Sequence, residues 1–327
     1  MSNDILDTIL LLALPASGKS EVRKYLRHLP PKTAAEDFHM GASAQLDDFP
    51  YVHLMRRIDD ELSAAKAPRI FFKASDKPFL DPKDWGTLIE LLNEDHVDLI
   101  ANRKQRPQSA ALDLFERLDR ASIKVGAQPR LKNLGAAVID RLAPALEKDA
   151  RDALDMRQAA YPPSMEGRTL VIECARGGPH GSKLPLAEPF GYRYSLSRLS
   201  EAILEKAAIL YVWVTPEESR RKNEARSDPN DPGSILHHSV PIDVMMNDYG
   251  LDDMDWLEKN ARKPGTISIE AHGKTFDIPI GRFDNRVDKT SFLRDDAKDW
   301  DPEKVKAVHD GLKDALDTLA KLQPAKA

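Results

Sequence analysis

The sequence predicts a doubly wound α/β protein: a parallel sheet of five strands carrying a large, mostly helical insertion. Three observations predict it. The apolar run Ile9-Leu10-Leu11-Leu12-Ala13-Leu14 leads directly into Pro15-Ala16-Ser17-Gly18-Lys19-Ser20, a small-residue loop that opens a helix reaching roughly His28. Further short apolar runs alternate with helical patterns, as in a parallel sheet covered on both faces. Between the second and third of these runs lie residues 38–167, far more chain than a crossover connection needs.

Taken in order, the expected strands are Thr8 to Leu14, Lys32 to Glu36, Thr169 to Cys174, Ile209 to Val214 and Ile278 to Phe283. Within the insertion, a helix is expected from about Tyr51 to Ala65 and a short strand from Arg69 to Lys73. Asp81-Pro82 then starts a helix by side-chain cap and fixed φ, with Trp85, Leu88, Ile89 and Leu92 on one face. Val97 to Ala101 reads as another strand, and helical stretches follow over Ser109 to Ser122 and Leu134 to about Ala160. After the fourth main strand, Thr215 and Glu218 form a capping box with Pro216 at the first helical position. A second insertion, Ser227 to Thr275, opens on the turn-rich Ser227-Asp228-Pro229-Asn230-Asp231-Pro232-Gly233. A hairpin of Thr266 to Glu270 with Lys274 to Ile278, around His272-Gly273, closes it. Val305, Val308, Leu312, Leu316 and Leu319 recur at helical spacing in the last segment, Pro302 to Leu322. The core is therefore placed in residues 1–37 and 168–327, a lid in 216–275 and an inserted substrate or interaction subdomain in 38–167.

Composition bounds the function. Of 327 residues 41% are apolar, enough for a sizeable core. With 48 basic and 53 acidic residues the net charge is -5, so no global field draws nucleic acid or an anionic membrane, and any polyanion site is local. Cys174, the single cysteine, excludes an internal disulfide and fits a reducing compartment. Asp4 and Asp7 stand where a secretory signal would carry Lys or Arg, and the first apolar run is too short to span a bilayer. The expectation is a cytoplasmic protein with no membrane partner; oligomeric state is not legible.

The chemistry concentrates at strand ends. In a phosphate-binding loop, backbone N–H groups turn onto the phosphates, the lysine reaches their oxygens and the Ser hydroxyl ligates Mg²⁺. Pro15 to Ser20 fit that role, with Lys19 expected to face solvent, although Ala13 stands where the pattern has glycine. Asp37, ending the expected second strand, is the candidate general base or metal-water ligand, with Glu36 its rival and a simple helix or turn cap the alternative. Glu173, at the tip of the third strand, suits a Mg²⁺-water or substrate role. Arg176, beside Gly177-Gly178, suits a grip on substrate, against a solvent-exposed turn arginine. Cys174 reads as a small buried hydrophobe. The basic helix from Pro216 has the character of a lid. Glu217 with Arg221 and Glu218 with Lys222 are ordinary pairs, leaving Arg220 and Arg226 as the anion-binding candidates. His237 and His238 are candidates for a substrate pocket, without the spacing of a zinc site. Phe283-Asp284-Asn285-Arg286 is either a base-contacting loop or a plain turn.

Leu14 to Ser20, Asp37, Glu173 to Arg176 and Arg220 to Arg226 together resemble the P-loop kinases of the nucleotide-kinase-like group, which includes nucleoside and nucleotide, polynucleotide and zeta-toxin-like kinases. The resemblance covers about half the chain. It implies a strand order 2-3-1-4-5, ATP with Mg²⁺, and transfer of the γ-phosphoryl group to a hydroxyl or phosphate of a small-molecule or nucleotide-like acceptor, with Asp37 as the acceptor-side acid and Glu173 as the acid ending the third core strand. No arginine follows Asp37 closely, as it does in many of these kinases; Arg56 and Arg57 are the substitutes. Two alternatives stay open. One is a nucleotide-binding switch or partner-binding protein. The other is a polynucleotide 5′-hydroxyl kinase using Arg103-Lys104-Gln105-Arg106 with Arg130 and Lys132 as a nucleic-acid groove.

Overall fold

β1 (Thr8–Leu12) is buried at every position because both faces of the sheet it centres are covered. The computed structural model describes residues 5–225 and 239–323. Along the chain follow α1 (Lys19–His28), α2 (Pro31–Phe38), β2 (Ala42–Asp47), α3 (Phe49–Ala64), α4 (Asp84–Ile100), α5 (Ala110–Lys124), α6 (Ala136–Ala159), β3 (Arg168–Cys174), α7 (Gly191–Ser197), α8 (Glu201–Leu204) and β4 (Ala207–Trp213). The remaining strands and α-helices are α9 (Pro216–Ala225), α10 (Ile242–Asp248), α11 (Met254–Lys259), β5 (Thr266–Ala271), β6 (Lys274–Asp284) and α12 (Pro302–Leu322).

The sheet order is β2-β3-β1-β4-β6-β5. β2, β3, β1, β4 and β6 pair in parallel, and β5 is an antiparallel edge on β6. The sheet therefore has six strands where five were expected. The expected hairpin arm and the expected fifth strand are one continuous strand, β6, and its partner β5 joins the same sheet. Leu10, Leu12, Ile172 and Ile209 face one side, toward Ile89 and Leu196. Ile9, Leu11, Val171 and Leu210 face the other, toward Val22, Leu312 and Leu316. This alternation follows from the two-residue repeat of strands.

Three expected strands are corrected. Lys32 to Glu36 lies inside α2, where Pro31 starts the helix with its fixed φ. The second strand is instead β2, whose inward residues Ala44 and Leu46 are too few and too small to stand out as an apolar run. Arg69 to Lys73 is not a strand; it contributes only an isolated bridge from Phe72 to Phe79. Its backbone is satisfied differently, because the buried Asp59 carboxylate accepts the N–H groups of Ile70 (2.8 Å) and Phe72 (2.7 Å). Val97 to Ile100 continues α4, with Val97 and Ile100 exposed on its outer face. Because β2 belongs to the main sheet, the inserted unit consists of α3 to α6, which gather Leu54, Ile58, Leu88, Leu114 and Leu146 into a core of their own. Among the described residues no helix is long and apolar enough to cross a membrane.

α12 lies on the sheet at close range. A Cβ built on Gly281 of β6 would sit 2.2 Å from the Ala315 carbonyl oxygen and 2.9 Å from its carbon, both backbone atoms. Gly281→Ala is thus expected to lower stability by about 2 kcal/mol in urea unfolding. Gly135→Ala, with nothing within 4 Å, is the control and should change little.

Candidate functional site

At the carboxyl end of β1 the chain turns sharply, with Ala16 at φ 55° and Gly18 at φ 104°. A Cβ on Gly18 would lie 2.4 Å from Thr290 Oγ1 and 2.8 Å from Asn285 Nδ2, so dihedral and space both demand glycine. Ala13, in contrast, is fully buried without a left-handed backbone, which is why alanine is accepted there. The loop is braced from outside. Asn285 Nδ2 donates to the Ser17 carbonyl (2.6 Å), and Ser219 Oγ on α9 donates to the Pro15 carbonyl (2.7 Å). Ser17 Oγ is buried without a hydrogen-bond partner. Ser20 lies in the first turn of α1, where N–H groups have no acceptor within the helix. Lys19 is buried, not solvent-facing as expected; its Nζ donates to the Ala13 (3.2 Å) and Leu14 (3.3 Å) carbonyls.

Strand register creates the acidic side of the site. Asp47 ends β2 directly beside Glu173 of β3. Arg23, one turn into α1, meets both, its NH1 2.8 Å from Glu173 Oε2 and 3.2 Å from Asp47 Oδ2. Burial and the neighbouring Asp47 charge raise the Glu173 carboxyl to about 7, against the opposing pull of Arg23 and Lys19. Asp48 follows, buried, with Arg176 NH2 2.6 Å from its Oδ2. Burial raises the Asp48 pKa, and Arg176 opposes that rise. Arg176 is itself only 2% exposed: its Nε donates to Ser195 Oγ (3.1 Å) and its NH1 to the Ala175 carbonyl (2.6 Å). Its guanidinium also lies 5.0 Å from the centre of the Trp85 ring.

The loop, Asp47, Asp48 and Glu173 open on one cleft, whose far side is lined by Arg56, Phe72, Phe79 and Trp85 of the insertion and by Asp248 and Tyr249 at the end of α10. Of the residues expected from sequence, Pro15, Ala16, Ser17, Lys19, Ser20 and Glu173 line this cleft. Asp37 does not. It sits on α2 beside α12, its Oδ2 3.5 Å from His309 Nε2 and its Oδ1 3.8 Å from Lys313 Nζ. This is a correction that follows from the misplaced second strand. The acids at that strand's true tip are Asp47 and Asp48, and their only sequence signal was an acidic pair before Pro50 and a helix.

Arg176 stands behind Asp48 and does not line the cleft. Arg220 pairs with Glu217 (3.1 Å), three residues back along α9, and Arg221 pairs with Glu218, so the expected four-residue spacing holds only for Glu218 and Lys222 (3.9 Å). Arg226, His237 and His238 lie outside the described residues. Arg56 reaches the cleft, whereas Arg57 is held by Glu61 and Asp149. Arg130 is tied to the buried Asp84 (2.7 Å) and is lost to any nucleic-acid groove. Cys174 is buried, its thiol pushed up to about 12 by burial, which makes it an inert core residue.

Among the described residues no group of three or more His, Cys, Asp or Glu is arranged to hold a metal ion. A divalent cation here would take Ser20 and one strand-tip carboxylate, with its other oxygens from phosphate and water.

The folded Glu173 carboxyl binds a proton that the unfolded chain, with a carboxyl near 4.5, has already released. Its contribution to stability is therefore fully present below pH 4.5 and is lost as pH rises through 7. Relative to Glu173→Gln, the wild-type chain should lose about 3 kcal/mol of stability between pH 4.5 and 7.5, measured by urea unfolding. A pH-independent difference between the two would show that Glu173 titrates normally.

No family model, curated protein or solved structure matches the chain.

Proposed function

We propose that the chain is an ATP-dependent phosphotransferase that moves the γ-phosphoryl group to a hydroxyl of a small-molecule or nucleotide-like acceptor. The observation that supports it most is that Ser17, Lys19 and Ser20 of the loop and the carboxylates of Asp47, Asp48 and Glu173 face a single cleft. Phosphoryl transfer asks for that combination: donors for the phosphates on one side and a proton acceptor on the other.

The residues fit a bound triphosphate. Gly18 leaves the backbone free to curl, Ser17 offers a buried hydroxyl without a partner, and α1 points its positive dipole end at the loop. Ser20 and Glu173 suit the Mg²⁺ that would accompany it. When bound, ATP supplies the phosphoryl group and Mg²⁺ offsets its charge. Lys19 adds a fixed positive charge at the loop. Asp48 takes the acceptor's proton in this reading, its carboxylate oriented by Arg176 from behind. Arg23 keeps Glu173 and Asp47 from repelling one another out of position. The aromatic far wall excludes water that would otherwise compete with the acceptor.

The test is γ-labelled ATP incubated with pooled nucleosides, sugars and short oligonucleotides. Labelled product should fall by roughly 10²-fold or more in Lys19→Met, which keeps the buried stem and removes the charge. Asp48→Asn should lower kcat by roughly 10²-fold or more while ATP affinity changes by less than about threefold. Asp37→Asn should leave turnover within about twofold, since Asp37 is outside the cleft. Free phosphate as the sole product would replace this reading with that of a nucleotide-hydrolysing switch.

A further inference from the structure

A second cavity, of about 340 Å³, lies beyond Arg23, Asp47 and Phe49, which line both it and the cleft. The insertion builds it against the free edge of β2, and its layers follow from helical spacing. Tyr51 of α3, Arg117 of α5 and Arg157 of α6 converge on Asp95 of α4 and make a polar end. One turn away on the same three helices stand Leu54, Leu114 and Leu154. Farther along, α5 and α6 present only Ala110, Ala150 and Ala153, whose short side chains leave the space open.

The polar end is rich in guanidinium. Tyr51 OH donates to Asp95 Oδ2 (2.6 Å), Arg117 NH2 donates to Asp95 Oδ1 (2.6 Å), and Arg157 pairs with that same oxygen. Two cations thus share one carboxylate. Glu94, also within reach of Arg117 (3.2 Å), is already engaged by Arg120 (2.9 Å) and Lys124 (3.4 Å), and Asp98 is taken by Arg103 (3.2 Å). The Arg157 side chain is 16% exposed against 3% for Asp95, so an entering molecule meets the guanidinium before the carboxylate. On the sheet side Arg27 donates to Gln45 and, among the described residues, has no carboxylate within 4.0 Å. Over the whole lining, Arg23, Arg27, Arg117 and Arg157 stand against Asp47, Asp95 and Asp113, an excess of one positive charge in a largely apolar cavity.

We propose that this cavity binds an amphipathic monoanion, a carboxylate on an apolar body of about eight carbons. A cavity of about 150 Å³ accepts a benzene ring, so the space here suffices for such a body. The carboxylate accepts N–H groups of Arg157 and balances the excess charge, while the body lies along Leu54, Leu114 and the alanines and leaves water. A cation of the same shape would add to the excess, and a small hydrophilic anion would leave the apolar layers uncovered. The site is separate from the loop, and the inference stands whether or not the chain is a phosphotransferase.

The test is calorimetric binding of octanoate, acetate and octylammonium at pH 7.5 to the wild-type chain, Ala153→Phe, Arg157→Met and Lys19→Met. Octanoate should bind about tenfold or more tightly than acetate, which lacks the body, and than octylammonium, which carries the opposite charge. Ala153→Phe, which fills the cavity, and Arg157→Met, which removes the fork of donors, should each weaken octanoate binding by about tenfold or more, while Lys19→Met should bind it as the wild type does. If Arg157→Met fails to fold, Arg157→Lys, which keeps a charge beside Asp95 without the planar fork, takes its place and should weaken binding by about threefold or more. Ala153→Leu does the same for Ala153. Acetate or octylammonium binding as tightly as octanoate, octanoate binding unchanged in the variants at either position, or no octanoate binding at millimolar concentration overturns the inference. Octanoate binding lost in Lys19→Met would put the ligand at the loop and overturns the separate site.

Discussion

One buried guanidinium joins the parts of this molecule. Arg176, just past the tip of β3, reaches Asp48 at the start of the insertion, Ser195 on α7 and the ring of Trp85 on α4. A charge this deep is tolerable only with its carboxylate partner in place, and stranding one member of such a pair typically costs about 3–5 kcal/mol. The pair therefore does more than stabilise. It fixes the direction in which the chain leaves β2, and so where α3 and α4 come to rest against the sheet. It also decides which acid is presented to the cleft. A shorter side chain at position 176 could not reach the insertion, the helix and the strand end together.

The second constraint is register. Parallel pairing sets Asp47 beside Glu173, and like charges at that spacing need a cation between them. Arg23 fills the place because α1 begins at Lys19 and one helical turn brings its side chain over both strand tips. The loop that starts this helix is in turn held by Asn285 and Ser219, which follow β6 and β4. Loop, acids and braces thus all descend from the ends of adjacent strands. The site is organised by the sheet before any ligand is present.

The sequence disclosed the elements that carry long periodic patterns or strong local signals. The β1-to-α1 junction, the capping box of α9, where Thr215 Oγ1 accepts the Glu218 N–H, and the full span of α12 all formed as their residues indicate. The hairpin of β5 and β6 did as well, though its place in the main sheet was not legible. What escaped was decided by tertiary contact. β2 is an edge strand of small residues, Ala42-Ser43-Ala44, whose identity comes from pairing with β3 and not from its own hydrophobicity. Lys32 to Glu36 has equal claim to either state until Pro31 and the packing of Phe38 settle it as helix. That single exchange moved the candidate base from Asp37 to the Asp47-Asp48 pair. Arg176 illustrates the same limit from another side, since a guanidinium beside two glycines gives no sign in sequence that it will be buried.

The charge balance of the cleft determines how it must respond to a polyphosphate. Lys19, Arg23 and Arg56 line it and Arg176 stands behind, against the carboxylates of Asp47, Asp48, Glu173 and Asp248. These already offset one another, so further anionic charge in the cleft is unfavourable unless a cation enters with it.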